Sequence, residues 1–296
     1  MLTRILVLVL GLLLLVVIGA AGTALALLTY RVKGQCVDNG EVCLHFTDEG
    51  DGPPVILLHG FAVNADINWR RPGITKKLAQ EYRVISLDLR GHGLSTKLYG
   101  MDSYGAQMVE DVVLLLDHLG IAKAHVVGYS LGGFIALKLA VDYPERLRTV
   151  TAMGSGWEHP DDGAFLSALP RLGDELMSGE PISPLSGYFG GEWEEPTLVH
   201  TLWIKLMTGF LNDPHALAGV VLSVPELAIT ENELRTISLP TCSIVASQDP
   251  LRPGAEAMVG RVANHRIVII ENADHLGALM RAKTLDTLRE FLDLHR

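Results

Sequence analysis

Three residue types able to work together as nucleophile, base and orienting acid occur in the chain in the order Ser130, Asp249, His275. The serine lies in Gly128-Tyr129-Ser130-Leu131-Gly132, with an apolar run before it and apolar residues at helical spacing after it. Glycines two before and two after a serine let a strand and a helix pass close together, which leaves the hydroxyl raised at the corner for attack. The alternative is a tight turn that only happens to contain serine, and a pattern this short needs partners to decide between the two. An alcohol is a weak nucleophile at neutral pH, so Ser130 requires a base to take its proton and an acid to fix the tautomer of that base. His275 follows "IVIIENAD" and Asp249 follows "CSIVASQ", both at the ends of strand-like runs, where wound sheets bind their ligands. A developing oxyanion needs donors. The backbone N–H groups of Phe61, at a third strand end, and of Leu131, directly after the serine, are expected to supply them. The His59 side chain is expected to make a structural hydrogen bond beneath that loop.

Positioning these groups takes a sheet of buried strands. "PPVILLHG", "RVISLDLRGHG" and "AHVVGYS" are short apolar runs ending in glycine or serine, as strands covered on both faces read. Helical patterns lie between them at about residues 72–80 and 104–119, and this alternation predicts an α/β fold with a doubly wound, mostly parallel sheet. After "LRTVTAMGSG" the alternation stops, and it resumes with "TCSIVASQDP" and "HRIVIIENADH". The segment 157–238 is therefore read as a helical cap, with helices at about 164–177, 196–211 and 214–222, inserted into a core made of 31–156 and 239–296. Its aromatic residues, Trp157, Phe165 and Trp203 foremost, are candidates to line an apolar substrate pocket. A core for the cap itself is the competing reading of the same side chains.

The formal charge of −10 over 296 residues argues against nucleic acid as the main partner, because that requires a basic surface. Residues 5–30 carry no charge, and as a helix they would extend about 39 Å, more than the roughly 30 Å of a bilayer core. A single-pass transmembrane anchor over 1–30 is expected. A cleaved signal ending near Ala24-Leu25-Ala26, giving a secreted protein, is the alternative, although such apolar regions usually run only about 7–15 residues. Neither the cysteine spacing nor the glycine spacing predicts a metal or dinucleotide site, so no cofactor is expected.

"HGF", "DLRGHGLS", "GYSLGG", "SQDPL" and "NADH", in this order, resemble the α/β-hydrolase superfamily, in its lidded serine carboxylesterase and monoacylglycerol-lipase-like branch. The resemblance extends over about residues 36–295. It implies an acyl-enzyme mechanism on ester substrates, with lipid-like esters among them, and it implies mainly structural roles for Asp88, Arg90 and His92. Serine at 130 separates the chain from similar epoxide hydrolases and haloalkane dehalogenases, which use aspartate there. Some relatives supply the acid after the preceding strand, which makes Glu158 and Asp161 fallback candidates. A carbon–carbon bond hydrolase or cofactor-free haloperoxidase on the same triad is the alternative enzyme, and a catalytically silent binding protein is the alternative of another class.

The cysteines bear on location. With Asn39-Gly40 read as a two-residue hairpin turn, Asp38 faces Glu41, Val37 faces Val42 and Cys36 faces Cys43. Opposed residues of an antiparallel pair are within reach of a disulfide. A Cys36–Cys43 bond would place the catalytic domain in an oxidising compartment, outside the cytoplasm; two reduced thiols in a cytosolic protein are the other reading. Cys242, in a buried strand pattern, is expected to be free.

Overall fold

The computed structural model describes residues 31–160, 164–178, 208–209 and 211–296. The described residues from Lys33 to Arg296 belong to one compact unit. The anchor expected over 1–30 lies outside the described residues, and no helix among the described residues is long and apolar enough to cross a membrane.

The apolar runs form the sheet. Its strands are β1 (Gln35–Asp38), β2 (Cys43–Glu49), β3 (Pro54–Leu58), β4 (Arg83–Leu87), β5 (Ala124–Tyr129), β6 (Leu147–Met153), β7 (Thr241–Ala246) and β8 (His265–Ile270), in the spatial order β1-β2-β4-β3-β5-β6-β7-β8. β1, β2 and β4 pair antiparallel and the remaining pairs are parallel. Side chains alternate across the sheet. Ile56 and Leu58 join the larger cluster, which includes Val109, Leu116 and Ile135, whereas Val55 and Leu57 pack with Ile74, Leu78, Leu288 and Phe291. Helices thus cover both faces, as a doubly wound sheet requires. From β3 the chain passes to β4 on one side and then crosses back to β5 on the other, so β3 and β5 flank the point where winding reverses. Ligands bind outside the carboxyl ends of strands at such a point.

Between β6 and β7 lie the helices Ala164–Ser178, Pro214–Ser223 and Glu231–Thr236. The helix expected over 196–211 falls almost wholly outside the described residues. Asp213 caps the second helix, accepting from the amides of His215 and Ala216, and Thr230 and Glu233 form a reciprocal capping box on the third. Leu169, Leu172 and Leu176 of the first helix are buried in the larger cluster.

The hairpin corrects the expected register. Asp38 pairs with Cys43, Val37 with Leu44 and Cys36 with His45. The loop is longer than two residues because Asn39 Oδ1 accepts from the amides of Glu41 and Val42, at 3.0 and 2.9 Å, while Asp38 Oδ1 accepts from Gly40 at 2.7 Å. These side chains close a wider turn in place of the two-residue one. Cys36 and Cys43 are disulfide-bonded across the diagonal of this pairing, with Cα atoms 5.6 Å apart, and Cys242 is a buried free cysteine.

Deep in β5, His125 is fully buried, with Nδ1 2.9 Å from Thr149 Oγ1. Burial first, and then the charges of Arg148 and His295, push its pKa down to about 4. The unfolded chain, with a histidine near 6.5, binds more protons than the folded one between these two pH values, so stability is lost as pH falls through this window. The expected contribution is on the order of 2 kcal/mol lost at pH 5 relative to pH 8, or roughly 5 °C in Tm. Thermal melts of the wild type and His125→Gln across that range should show the variant with the shallower pH dependence, and equal slopes would refute this origin.

Candidate active site

Ser130 joins β5 to the helix Leu131–Asp142 with φ 51° and ψ −114°, a left-handed backbone that a non-glycine residue adopts only where its surroundings enforce it. They do so here. The Ser130 amide donates to Met153 O at 2.8 Å, and its carbonyl accepts from Gly133 at 2.8 Å. A Cβ at Gly128 would collide with the Gly132 carbonyl, and one at Gly132 with the Leu58 carbonyl. Glycine at both positions is therefore a requirement of the close strand–helix passage.

Asp249 follows β7 and is buried. Its Oδ1 accepts from the Leu251 amide at 2.9 Å and its Oδ2 lies 2.9 Å from His275 Nδ1, so each oxygen is held. The Ser247-Gln248 loop before it is tied to the histidine segment by Ser247 N to Ile270 O and Gln248 N to Ala273 O, both 3.0 Å. His275 is anchored from the elbow itself: the Tyr129 hydroxyl donates to the His275 carbonyl, and the two rings lie 5.3 Å apart. Burial holds the Tyr129 phenol well above its ordinary pKa, so it stays a donor. The structure thus brings Asp249 and His275 into contact and sets both beside the residue preceding Ser130. Sequence reasoning missed Tyr129, because the elbow pattern accepts any residue at that position.

Among the described residues neither the Phe61 nor the Leu131 amide is committed to a protein acceptor, and the first N–H groups of a helix have no intrahelical partner. His59 Nδ1 lies 2.7 Å from Gly60 O, while Nε2 accepts from Leu89 N at 3.0 Å, so the proton is on Nδ1. A trans peptide directs its N–H opposite to its C=O. Drawing the Gly60 carbonyl toward His59 therefore turns the Phe61 N–H the other way. The Gly60 amide is fixed in turn by Asn68 Oδ1 at 3.0 Å, a second partner that the sequence did not reveal.

The "DLRGHG" residues brace this loop. Asp88 accepts from the amides of Ala65 and Leu94 and from His45. Burial would raise its carboxyl, but the His45 hydrogen bond and the two amides outweigh it and hold the pKa down to about 2. Arg90 forms a buried two-pronged pair with Asp111, at 2.6 Å for each contact. His92 accepts from the Ala62 amide at 3.2 Å, and burial lowers its pKa to about 3, which keeps it neutral.

Of the other candidates, Glu158 is partly buried and lines a small cavity with Phe134, Trp157, Leu166, Val224 and Ile229; burial raises its pKa. The carboxylate that meets His275 is that of Asp249. The Trp157 indole donates to Ile229 O at 2.8 Å, and the Arg261 guanidinium stacks over the ring at 5.4 Å. It therefore acts as a strut between the sheet and the cap as well as a cavity wall. Asp161 and Trp203 lie outside the described residues, as does the side chain of Phe165. Among the described residues no group of three or more His, Cys, Asp or Glu is placed to hold a metal ion.

A family profile described as "alpha/beta hydrolase fold" matches residues 53–180, which include the oxyanion loop and the elbow. The chain has the α/β-hydrolase fold and is similar to that superfamily over these residues. A thermophilic esterase from Thermogutta terrifontis superposes on this chain with a TM-score of 0.72 and 25% identity, over 90% of this chain and 100% of its own. The acetyltransferase component of the acetoin cleaving system of Pseudomonas putida is 28% identical over 243 residues, 79% of this chain and 62% of that protein. The pimeloyl-[acyl-carrier protein] methyl ester esterase of Aeromonas salmonicida is 37% identical over 106 residues, 36% of this chain and 39% of that protein. The chain thus spans only part of the length of each of these two relatives.

Proposed function

We propose that the protein is a serine hydrolase that cleaves carboxylic esters through an acyl-enzyme. The observation that carries this reading is the strained Ser130 elbow whose Tyr129 contacts His275 of the Asp249–His275 pair, with uncommitted amides at Phe61 and Leu131. His275 Nε2 takes the Ser130 proton as Oγ attacks the ester carbonyl, and the oxyanion is met by the Phe61 and Leu131 N–H groups. Collapse breaks the bond to the alcohol oxygen, which leaves with the proton from His275. Water activated by the same histidine then frees the acid and restores Ser130. Asp249 holds His275 with its proton on Nδ1 and stabilises the imidazolium. The esterases among the relatives support the choice of bond.

The substrate class follows from the apolar cap and the uncharged N-terminal segment, which together favour an amphiphilic ester met at a membrane. In a panel of chromogenic esters of increasing acyl length, activity should peak at a medium chain. A maximum at acetate with a steady decline would refute the lipid-like substrate while leaving the esterase reading intact. A ring-fission dienoate in the same panel tests the carbon–carbon hydrolase alternative.

The membrane tether and an extracytoplasmic domain belong to the same proposal. A Cys36–Cys43 disulfide is stable where the compartment is oxidising. Protein alkylated in its native host without reductant should carry label on neither residue by mass spectrometry. Alkylation of both would remove the support for that location.

A further inference from the structure

Ala62, next to the oxyanion donor Phe61, has φ 56°, the left-handed conformation that a side chain with Cβ disfavours. Two side chains grip it from opposite directions. From the core, His92 Nε2 accepts from the Ala62 N–H at 3.2 Å; from the cap, Asn212 Nδ2 donates to the Ala62 carbonyl at 2.9 Å. The cap side is held by hydrogen bonds of its own. The neighbouring Asp213 caps the helix Pro214–Ser223 through the amides of His215 and Ala216, and its Oδ2 accepts from the Tyr99 hydroxyl at 2.9 Å.

We propose that Asn212 is a positioning residue that lets the cap hold the oxyanion loop in its strained, donor-presenting form. The inference rests on the serine-hydrolase reading above. A left-handed alanine persists only where contacts over-determine it. When the cap's contact is lost, Ala62 relaxes toward a right-handed conformation, and the rotation carries the adjacent Phe61 peptide out of line with the oxyanion. Asn212 touches no reacting atom. Its loss weakens the binding of the tetrahedral state while leaving ground-state binding unchanged, so the effect falls on kcat and not on KM.

The test uses the full chain with Asn212→Asp, which keeps the shape and removes the donor. Active-site titration with a fluorophosphonate counts the folded, reactive enzyme in each preparation. Removing an oxyanion donor outright costs about 10²–10³-fold in kcat. Misaligning one is expected to cost about 10–30-fold, with KM within about twofold and an equal fold-loss in affinity for an alkyl trifluoromethyl ketone, whose adduct on Ser130 carries the oxyanion. The second variant is Ala62→Gly. Glycine adopts positive φ without the penalty, so in an Ala62→Gly background the loss from Asn212→Asp should shrink to less than about threefold. A purely structural contact would lower Tm and leave the ketone affinity unchanged, and that result overturns the proposal, as does an undiminished loss in the Ala62→Gly background. Failure of the wild type to hydrolyse any ester or to react with the fluorophosphonate would instead overturn the hydrolase reading.

Discussion

Replacing Ser130 with alanine abolishes ester turnover, by about 10⁴-fold or more, and leaves the melting temperature almost unchanged. The two halves of this expectation have separate causes. The hydroxyl supplies the nucleophile, and nothing else in the proposed mechanism can form the acyl-enzyme. The backbone contacts that set the elbow, from the Ser130 amide to Met153 O and from Gly133 N to the Ser130 carbonyl, involve no side-chain atom and survive the change. Alanine carries the same Cβ, so the backbone cost at φ 51° is the same for both residues. A fluorophosphonate probe labels the wild type at Ser130 and fails to label the variant. Retention of full activity, or labelling of a different serine, would remove the mechanism while leaving the fold intact.

Asp249→Asn lowers kcat by about 10⁴-fold with KM little changed, and the hydrogen-bond pattern gives the reason. The Leu251 amide donates to Oδ1 at 2.9 Å, so the amide oxygen of asparagine is held at that position and its NH₂ is turned toward His275 Nδ1. A donor there requires Nδ1 to be the unprotonated nitrogen. The proton then lies on Nε2, the atom that must accept from Ser130. The size and shape of the side chain are preserved, so the loss is one of tautomer and charge. Glu158→Gln is the control. Its carboxylate lines the cavity under the cap, and activity should stay within about twofold of the wild type. The opposite pattern, with Glu158→Gln silent and Asp249→Asn active, would show that the acid has been misassigned.

Much of the scaffold was legible in the chain because it is encoded locally. The buried strands read as unbroken apolar runs, and the elbow reads as two glycines flanking a serine, since both properties are set by residues within a few positions of each other. The order of Ser130, Asp249 and His275 and their places at strand ends were legible for the same reason. The hairpin register was not. Asn39-Gly40 alone indicates a two-residue turn, but Asn39 and Asp38 hydrogen-bond to nearby amides and widen the loop, so Cys43 lies opposite Asp38.

The contacts that make the site specific join residues far apart in sequence, and only the folded chain decides them. Asp249 reaches His275 because the loops after β7 and β8 are tied together by backbone hydrogen bonds. Tyr129 holds the histidine's own carbonyl, and Asn212 reaches from the cap to Ala62. The neutral His59 and His92 have their tautomers fixed by partners on other loops. A sequence pattern records which residues are present and how they are spaced. Which lone pair faces which N–H depends on how separate elements pack, and hydrogen bonding is directional enough that this packing sets the chemistry.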